Sequence, residues 1–112
     1  MDITTGVYGD FILFNLTGDF TVKSLSDMRK LFEETLSRSQ TYLALNMKNV
    51  RFIDTSGIGL IKNMKTILDK KQGYFCMYNV SDSVFSIFKT TGCTDYFHIF
   101  KTEKEFQENT TI

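Results

Sequence analysis

Apolar and polar positions along this 112-residue chain change period several times, and each change marks an element. Ile3 to Tyr8 and Phe11 to Thr17 are two extended runs separated by Gly9-Asp10. A Gly-X pair fits a type II′ hairpin turn, because glycine accepts the positive φ required at the first position. From about Ser24 to Ser37, Leu25, Met28, Leu31, Phe32 and Leu36 recur at helical spacing. Tyr42 to Met47 is almost continuously apolar, as expected of a strand covered on both faces. A second helix is predicted over Gly57–Lys71 and another buried-type strand over Tyr74–Val80. Ser83–Thr91 reads as a third helix with Val84, Ile87 and Phe88 on one face, and Gly92 suits its C′ position in the left-handed region. Tyr96–Phe100 is a last short strand. Thr102-Glu103-Lys104-Glu105 then matches a capping box opening a short helix with Phe106 facing inward.

The order β-β-α-β-α-β-α-β-α predicts an α/β fold: a mixed, mostly parallel sheet with an N-terminal β-hairpin and helices packed on it. The length suits one domain spanning 1–112, and no linker, low-complexity tract or internal repeat interrupts it. Lysine plus arginine and aspartate plus glutamate both total 13, so the net charge is zero. That argues against nucleic acid or an acidic membrane surface as a partner held by bulk charge. The apolar runs are too short to span a bilayer, and the N-terminus lacks a basic region followed by an apolar stretch. A cytoplasmic protein is expected. Cys76 and Cys93 form no C-x-x-C and His98 is the sole histidine, so two buried reduced thiols are expected rather than a metal site.

The most informative segment is Phe52-Ile53-Asp54-Thr55-Ser56-Gly57-Ile58-Gly59-Leu60-Ile61, a strand-to-helix junction. In open α/β sheets such junctions gather at the functional edge. Asp54 and Thr55 are favourable N-cap types, which puts Ser56 in the first helical turn, where free backbone N–H groups and the positive end of the helix dipole meet. A phosphate on that hydroxyl is compatible with the helix. On a helical wheel Leu60, Ile61, Met64, Ile67 and Leu68 form one apolar stripe that includes Gly57, where glycine allows close approach to the sheet. Ile58 falls roughly 120° from the centre of the stripe. Gly59, Lys62 and Thr66 point further out, and Lys65 flanks the stripe. An outward Ile beside an outward Gly suits a docked partner; a frayed start with one scattered surface apolar residue is the plain alternative.

Other chemistries fit poorly. Gly57-x-Gly59 would need a third glycine where Lys62 stands, and no Walker A or Gly-x-Ser-x-Gly occurs. A serine hydrolase would have to use His98 as its base, and His98 lies in a predicted strand. A receiver domain needs paired acids after an early strand, which Phe11–Leu16 does not supply. Eleven Phe and five Tyr fall at core spacing rather than as a stacking platform. Lys62, Lys65, Lys70 and Lys71 make the second helix locally basic, either as a solvated face or as a dock for an acidic surface.

Asp54-Thr55-Ser56-Gly57-Ile58-Gly59 resembles the Asp-Ser-Ser-Gly-Leu-Gly signature of STAS domains, especially the bacterial anti-sigma factor antagonists. The element order agrees from about Ile3 to Phe106. The resemblance implies a STAS-like fold and a binding module rather than an enzyme, with no cofactor. It implies that Ser56 is the phosphoacceptor of a serine kinase that doubles as the anti-sigma factor, that the unmodified form binds this kinase, and that a metal-dependent serine/threonine phosphatase reverses the mark. Asp54, Thr55, Gly57, Ile58, Gly59 and Lys62 are then expected to shape or form the docking face. Two departures stand out. Thr21, in Gly18-Asp19-Phe20-Thr21, occupies the place of a usual acid, and Leu45-Asn46-Met47 replaces the common Leu-Asp-Leu. They feed an alternative: a scaffold that is never phosphorylated and acts by assembly or by binding a small ligand.

Overall fold

The computed structural model describes residues 1–110. Its elements are β1 (Asp2–Tyr8), β2 (Phe11–Thr17), α1 (Leu25–Ser37), β3 (Tyr42–Asn49), α2 (Thr55–Lys70), β4 (Tyr74–Tyr78), α3 (Asp82–Thr90), β5 (His98–Phe100) and α4 (Glu103–Thr110), with a single 3-10 turn at Val22–Ser24 before α1. The five strands lie in the order β1-β2-β3-β4-β5. β1 and β2 pair antiparallel, and every later pair is parallel. This is the mixed α/β sheet with an N-terminal hairpin that the pattern predicts. Gly9 has φ +57 and Asp10 is not among the positive-φ residues, as a type II′ turn requires. Gly92 follows the α3 C-cap at φ +73.

Crossovers of one hand between strands in sequential order all pass over the same face. α1, α2 and α3 accordingly share one face, and their apolar sides meet Phe14, Leu16, Leu43, Leu45, Met47, Phe75 and Met77 in one continuous core. The alternate strand positions Phe11, Ala44, Cys76 and Tyr78 point to the other face, where they pack with Phe106 of α4. The near-continuous apolar runs of β3 and β4 therefore serve two unequal layers. Cys76 and Cys93 are both buried thiols.

Several boundaries differ from the sequence expectation. α2 begins at Thr55 rather than Gly57, because Asp54 caps it. β4 stops at Tyr78 rather than Val80, since Asn79 turns to φ 58 and leaves the ladder. β5 is reduced to His98–Phe100; Tyr96 lies in the preceding turn, its amide bonded to the Cys93 carbonyl at 3.0 Å. The α4 start is as predicted in its main feature: the Glu105 amide donates to Thr102 Oγ1 at 3.0 Å, and Phe106 is buried.

Candidate functional site

The chain between β3 and α2 is pinned by the one between β2 and α1. Phe20 and Ile53 form an isolated parallel bridge, in which the Phe20 amide donates to the Phe52 carbonyl (2.9 Å) and the Asp54 amide donates to the Phe20 carbonyl (3.0 Å). Asp54, extended at φ −94 and ψ 178, is the N-cap of α2. Its Oδ1 accepts from the Gly57 amide at 2.8 Å, and its Oδ2 accepts from the Val22 amide at 3.3 Å. One carboxylate thus ties the start of α2 to the 3-10 turn. The first intrahelical bond runs from the Ile58 amide to the Asp54 carbonyl at 3.0 Å, so the Thr55 and Ser56 amides precede the ladder.

This cap holds Ser56 in the first turn, half-buried, between exposed Thr55 and buried Gly57. Gly57 is there for space. A Cβ on it would meet Phe20 Cδ1 at 2.6 Å, the Phe20 carbonyl oxygen at 2.7 Å and Ile53 Cγ1 at 2.8 Å. Gly59 faces open space, with nothing within 4 Å of a Cβ built there. Lys62 is half-buried and extends over the Tyr96 ring, its Nζ 5.8 Å from the centroid; Lys65 Nζ lies 5.3 Å from the same ring. The Tyr96 hydroxyl is 3.3 Å from Thr66 Oγ1. Tyr96, 43% exposed, therefore belongs to the outer face of α2.

Ile58 corrects the helical wheel. It was expected to face outward and is instead 5% exposed, inside the main core. The wheel assumed one contacting face. In the fold both α1 and the 3-10 turn lie against α2, and the buried arc widens past the sheet-facing stripe to take in Ile58. Ile58 supports the shape of the site from beneath and offers no docking surface.

Two neighbours were missed in the sequence reading. Phe52 is 47% exposed and Val22 63% exposed, and both flank the Asp54 cap, Val22 through its amide and Phe52 through the chain itself. Neither lies in a periodic element, so no helical or strand pattern marks them. Exposed Lys23 and Arg51 stand beside them. Thr21 is the N-cap of the 3-10 turn: its Oγ1 accepts from the Lys23 amide at 3.3 Å, and its own amide donates to Ser24 Oγ at 3.3 Å. The departure at Thr21 thus exchanges one good capping type for another. Asn46 donates from Nδ2 to Asn15 Oδ1 (2.9 Å) and accepts at Oδ1 from Asn79 Nδ2 (3.1 Å) and the Lys48 amide (3.2 Å). An aspartate there could not donate to Asn15, so the amide at 46 suits the amide at 15.

Ser56 thus presents a half-buried hydroxyl at a helix N-terminus that is capped by the Asp54 carboxylate and bordered by exposed apolar and basic side chains. The family model described as STAS domain matches residues 2–106 of this chain. An anti-sigma F factor antagonist of Paenibacillus polymyxa is 24% identical over 93 residues, covering 82% of this chain and 80% of the relative. An anti-sigma factor antagonist from Mycobacterium paratuberculosis shares the fold at TM-score 0.84 with 13% identity, covering 96% of this chain and 92% of that one. The Bacillus cell fate determinant SpoIIAA in its phosphorylated form does so at TM-score 0.74 with 18% identity, covering 98% and 100%. Among the described residues no helix is long and apolar enough to cross a membrane.

Proposed function

The chain belongs to the STAS domain family, and from that premise we propose that it is an anti-sigma factor antagonist switched by phosphorylation of Ser56. In its unmodified form it binds a serine kinase that also acts as the anti-sigma factor. Phosphorylation releases it, and a metal-dependent serine/threonine phosphatase restores it. The observation that carries this reading is the placement of Ser56: in the first turn of α2, half-open, with Thr55 and Gly59 exposed on the same helix start. The docking face consists of Thr55, Ser56, Gly59 and Lys62, widened by Val22 and Phe52. Asp54 and Gly57 shape it from behind.

The physics of the switch is local. A phosphoserine adds about −1.5 to −2 charges at neutral pH. The helix dipole offsets part of that charge, so the fold is retained. The docked partner instead loses hydrogen bonds to the hydroxyl and nearby amides, at about 1–3 kcal/mol for each buried group left unpaired. Like-charge repulsion from an acidic partner surface adds to this. Each step of about 1.4 kcal/mol is tenfold in affinity, so one mark moves the protein between bound and free pools. The cognate kinase, titrated by calorimetry, is expected to bind Ser56→Ala like the unmodified protein and Ser56→Asp at least about tenfold more weakly. Equal binding by the two variants would remove the switch.

A further inference from the structure

The two edges of the sheet are finished differently. β5 is three residues long, is followed at once by Lys101, and has α4 against it. β1 runs for seven residues, and β2 is the one element it packs against extensively. Short strands, lysines, prolines, bulges and covering helices are the usual means by which a sheet edge is kept from pairing with another chain. β1 has none of them. Its register with β2 is unbroken from Asp2 to Tyr8, and Asp2, at its end, is its one charged side chain. Thr4, Thr5 and Val7 are exposed, Val7 at 72%.

The hairpin sets which backbone groups of β1 are spare. Tyr8 and Phe11 close a two-residue turn and so form a hydrogen-bonded pair. Such pairs alternate along an antiparallel ladder. Gly6, Thr4 and Asp2 therefore also bond to β2, and the amides and carbonyls of Ile3, Thr5 and Val7 point away from it. Among the described residues these outward groups have no other backbone partner. The side chains of Ile3, Thr5 and Val7 share one face, on which Ile3 packs against the main core. All three are β-branched, the class that suits a strand.

This outward row is complementary to itself. A second β1 laid antiparallel about a twofold axis at Thr5 sets Thr5 against Thr5 and Ile3 against Val7, each as a hydrogen-bonded pair. Every outward amide and carbonyl then has a partner. A shift of register by two residues leaves Ile3 or Val7 beyond the partner strand, and a shift by one sets outward groups against inward ones. On the core face the same arrangement joins the exposed Val7 of one copy to Ile3 of the other. The two Asp2 carboxylates fall at opposite ends of the seam, roughly 20 Å apart at about 3.3 Å per residue. That is well beyond the screening length of about 8 Å at physiological salt. The net charge of zero adds no bulk repulsion.

We propose that β1 is the docking edge for a second copy of this chain, which pairs with it strand to strand about Thr5 and joins two five-stranded sheets into one. The contact is one strand wide, so the association is weak, of the transient class that buries less than about 1,200 Å². It does not rest on Ser56 or on the partner-switch reading.

The test is sedimentation equilibrium of the full chain between about 10 μM and 1 mM, with amide shifts of the ¹⁵N-labelled protein followed over the same range. The expected result is a monomer–dimer equilibrium, with concentration-dependent shifts centred on Ile3 to Val7. Thr5→Pro deletes a central outward donor and suits an edge strand whose N–H faces solvent. Val7→Lys puts a charge beside the partner's Ile3 at a position that is exposed in the monomer. Each is expected to weaken dimerisation at least about tenfold while the spectrum of the rest of the sheet is retained. Should Thr5→Pro disturb the hairpin, Val7→Lys alone decides. A monomer throughout the range, a species larger than a dimer, a dimer undiminished by Val7→Lys, or shifts centred on His98–Phe100 or Thr55–Gly59 would each overturn the proposal.

Discussion

Gly57 and Gly59, two positions apart on one helix, have opposite reasons to lack a side chain. At Gly57 a methyl would strike a backbone carbonyl that cannot swing away, besides Phe20 and Ile53 side chains. Gly57→Ala is expected to destabilise the protein by about 2–3 kcal/mol, the cost of overpacking a tight contact. Gly59 has open space and a helical backbone, so Gly59→Ala is expected to stabilise it by about 0.5–1 kcal/mol through backbone entropy alone. Urea denaturation of the two variants checks both signs. If Gly59 lies on the docking face, the more stable variant binds the kinase less well, separating function from stability at one residue. The Asp54 cap and the tight approach at Gly57 were legible in the sequence because both follow from local chemistry. The burial of Ile58 was not, because a helical wheel sees its own helix and not α1 or the 3-10 turn beside it.

Among the four α-helices of the described residues, α4 buries the fewest side chains. Its eight residues bury one side chain, Phe106. That ring stacks on Tyr78 at 4.6 Å and 10° and meets Phe11 at 5.2 Å and 80°, with Tyr8 and Phe100 slightly further out. Phe106→Ala is expected to cost about 3–4 kcal/mol and to free the helix from the sheet. Loss of amide-exchange protection over Glu103–Thr110, with α1 and α2 still protected, is the corresponding signature. The inward Phe106 was legible because the capping box at Thr102 fixed the phase of the helix. The ends of β4 and β5 were not. Asn79 turns to positive φ, and the apolar Tyr96-Phe97 pair reads like strand while lying in a turn. A short apolar run has the same pattern whether it extends a ladder or only packs beside one.

At the scale of the molecule, the two faces of the sheet give it a one-sided response to alkali. The second face buries Cys76, whose thiol is raised well above its ordinary value by desolvation. Desolvation, then Glu103 and Cys76, pushes the Tyr78 phenol up to about 12, and Tyr74 is raised by desolvation and by Cys76. Unfolded thiols and phenols ionise near about 8.5 and 10. Above those values the unfolded chain binds fewer protons than the folded one, so stability falls as pH rises. The contribution is fully present below about pH 8.5 and is lost progressively above it, first through Cys76 and then through the tyrosines. Urea midpoints between pH 7 and 11 are expected to decline in that order, and Cys76→Ala to flatten the earlier part of the decline while leaving the later part.

The two ends of the sheet differ as well: aromatic side chains gather where the parallel strands begin, and an open helix start lies where β3 gives way to α2. The partner-switch reading rests on the second. Its most direct test is incubation with the cognate kinase and ATP, followed by intact mass and peptide mapping. The account predicts one added phosphate, carried by Ser56, and none on the Ser56→Ala variant. No phosphate on the wild-type chain, or one carried by another residue, would contradict it.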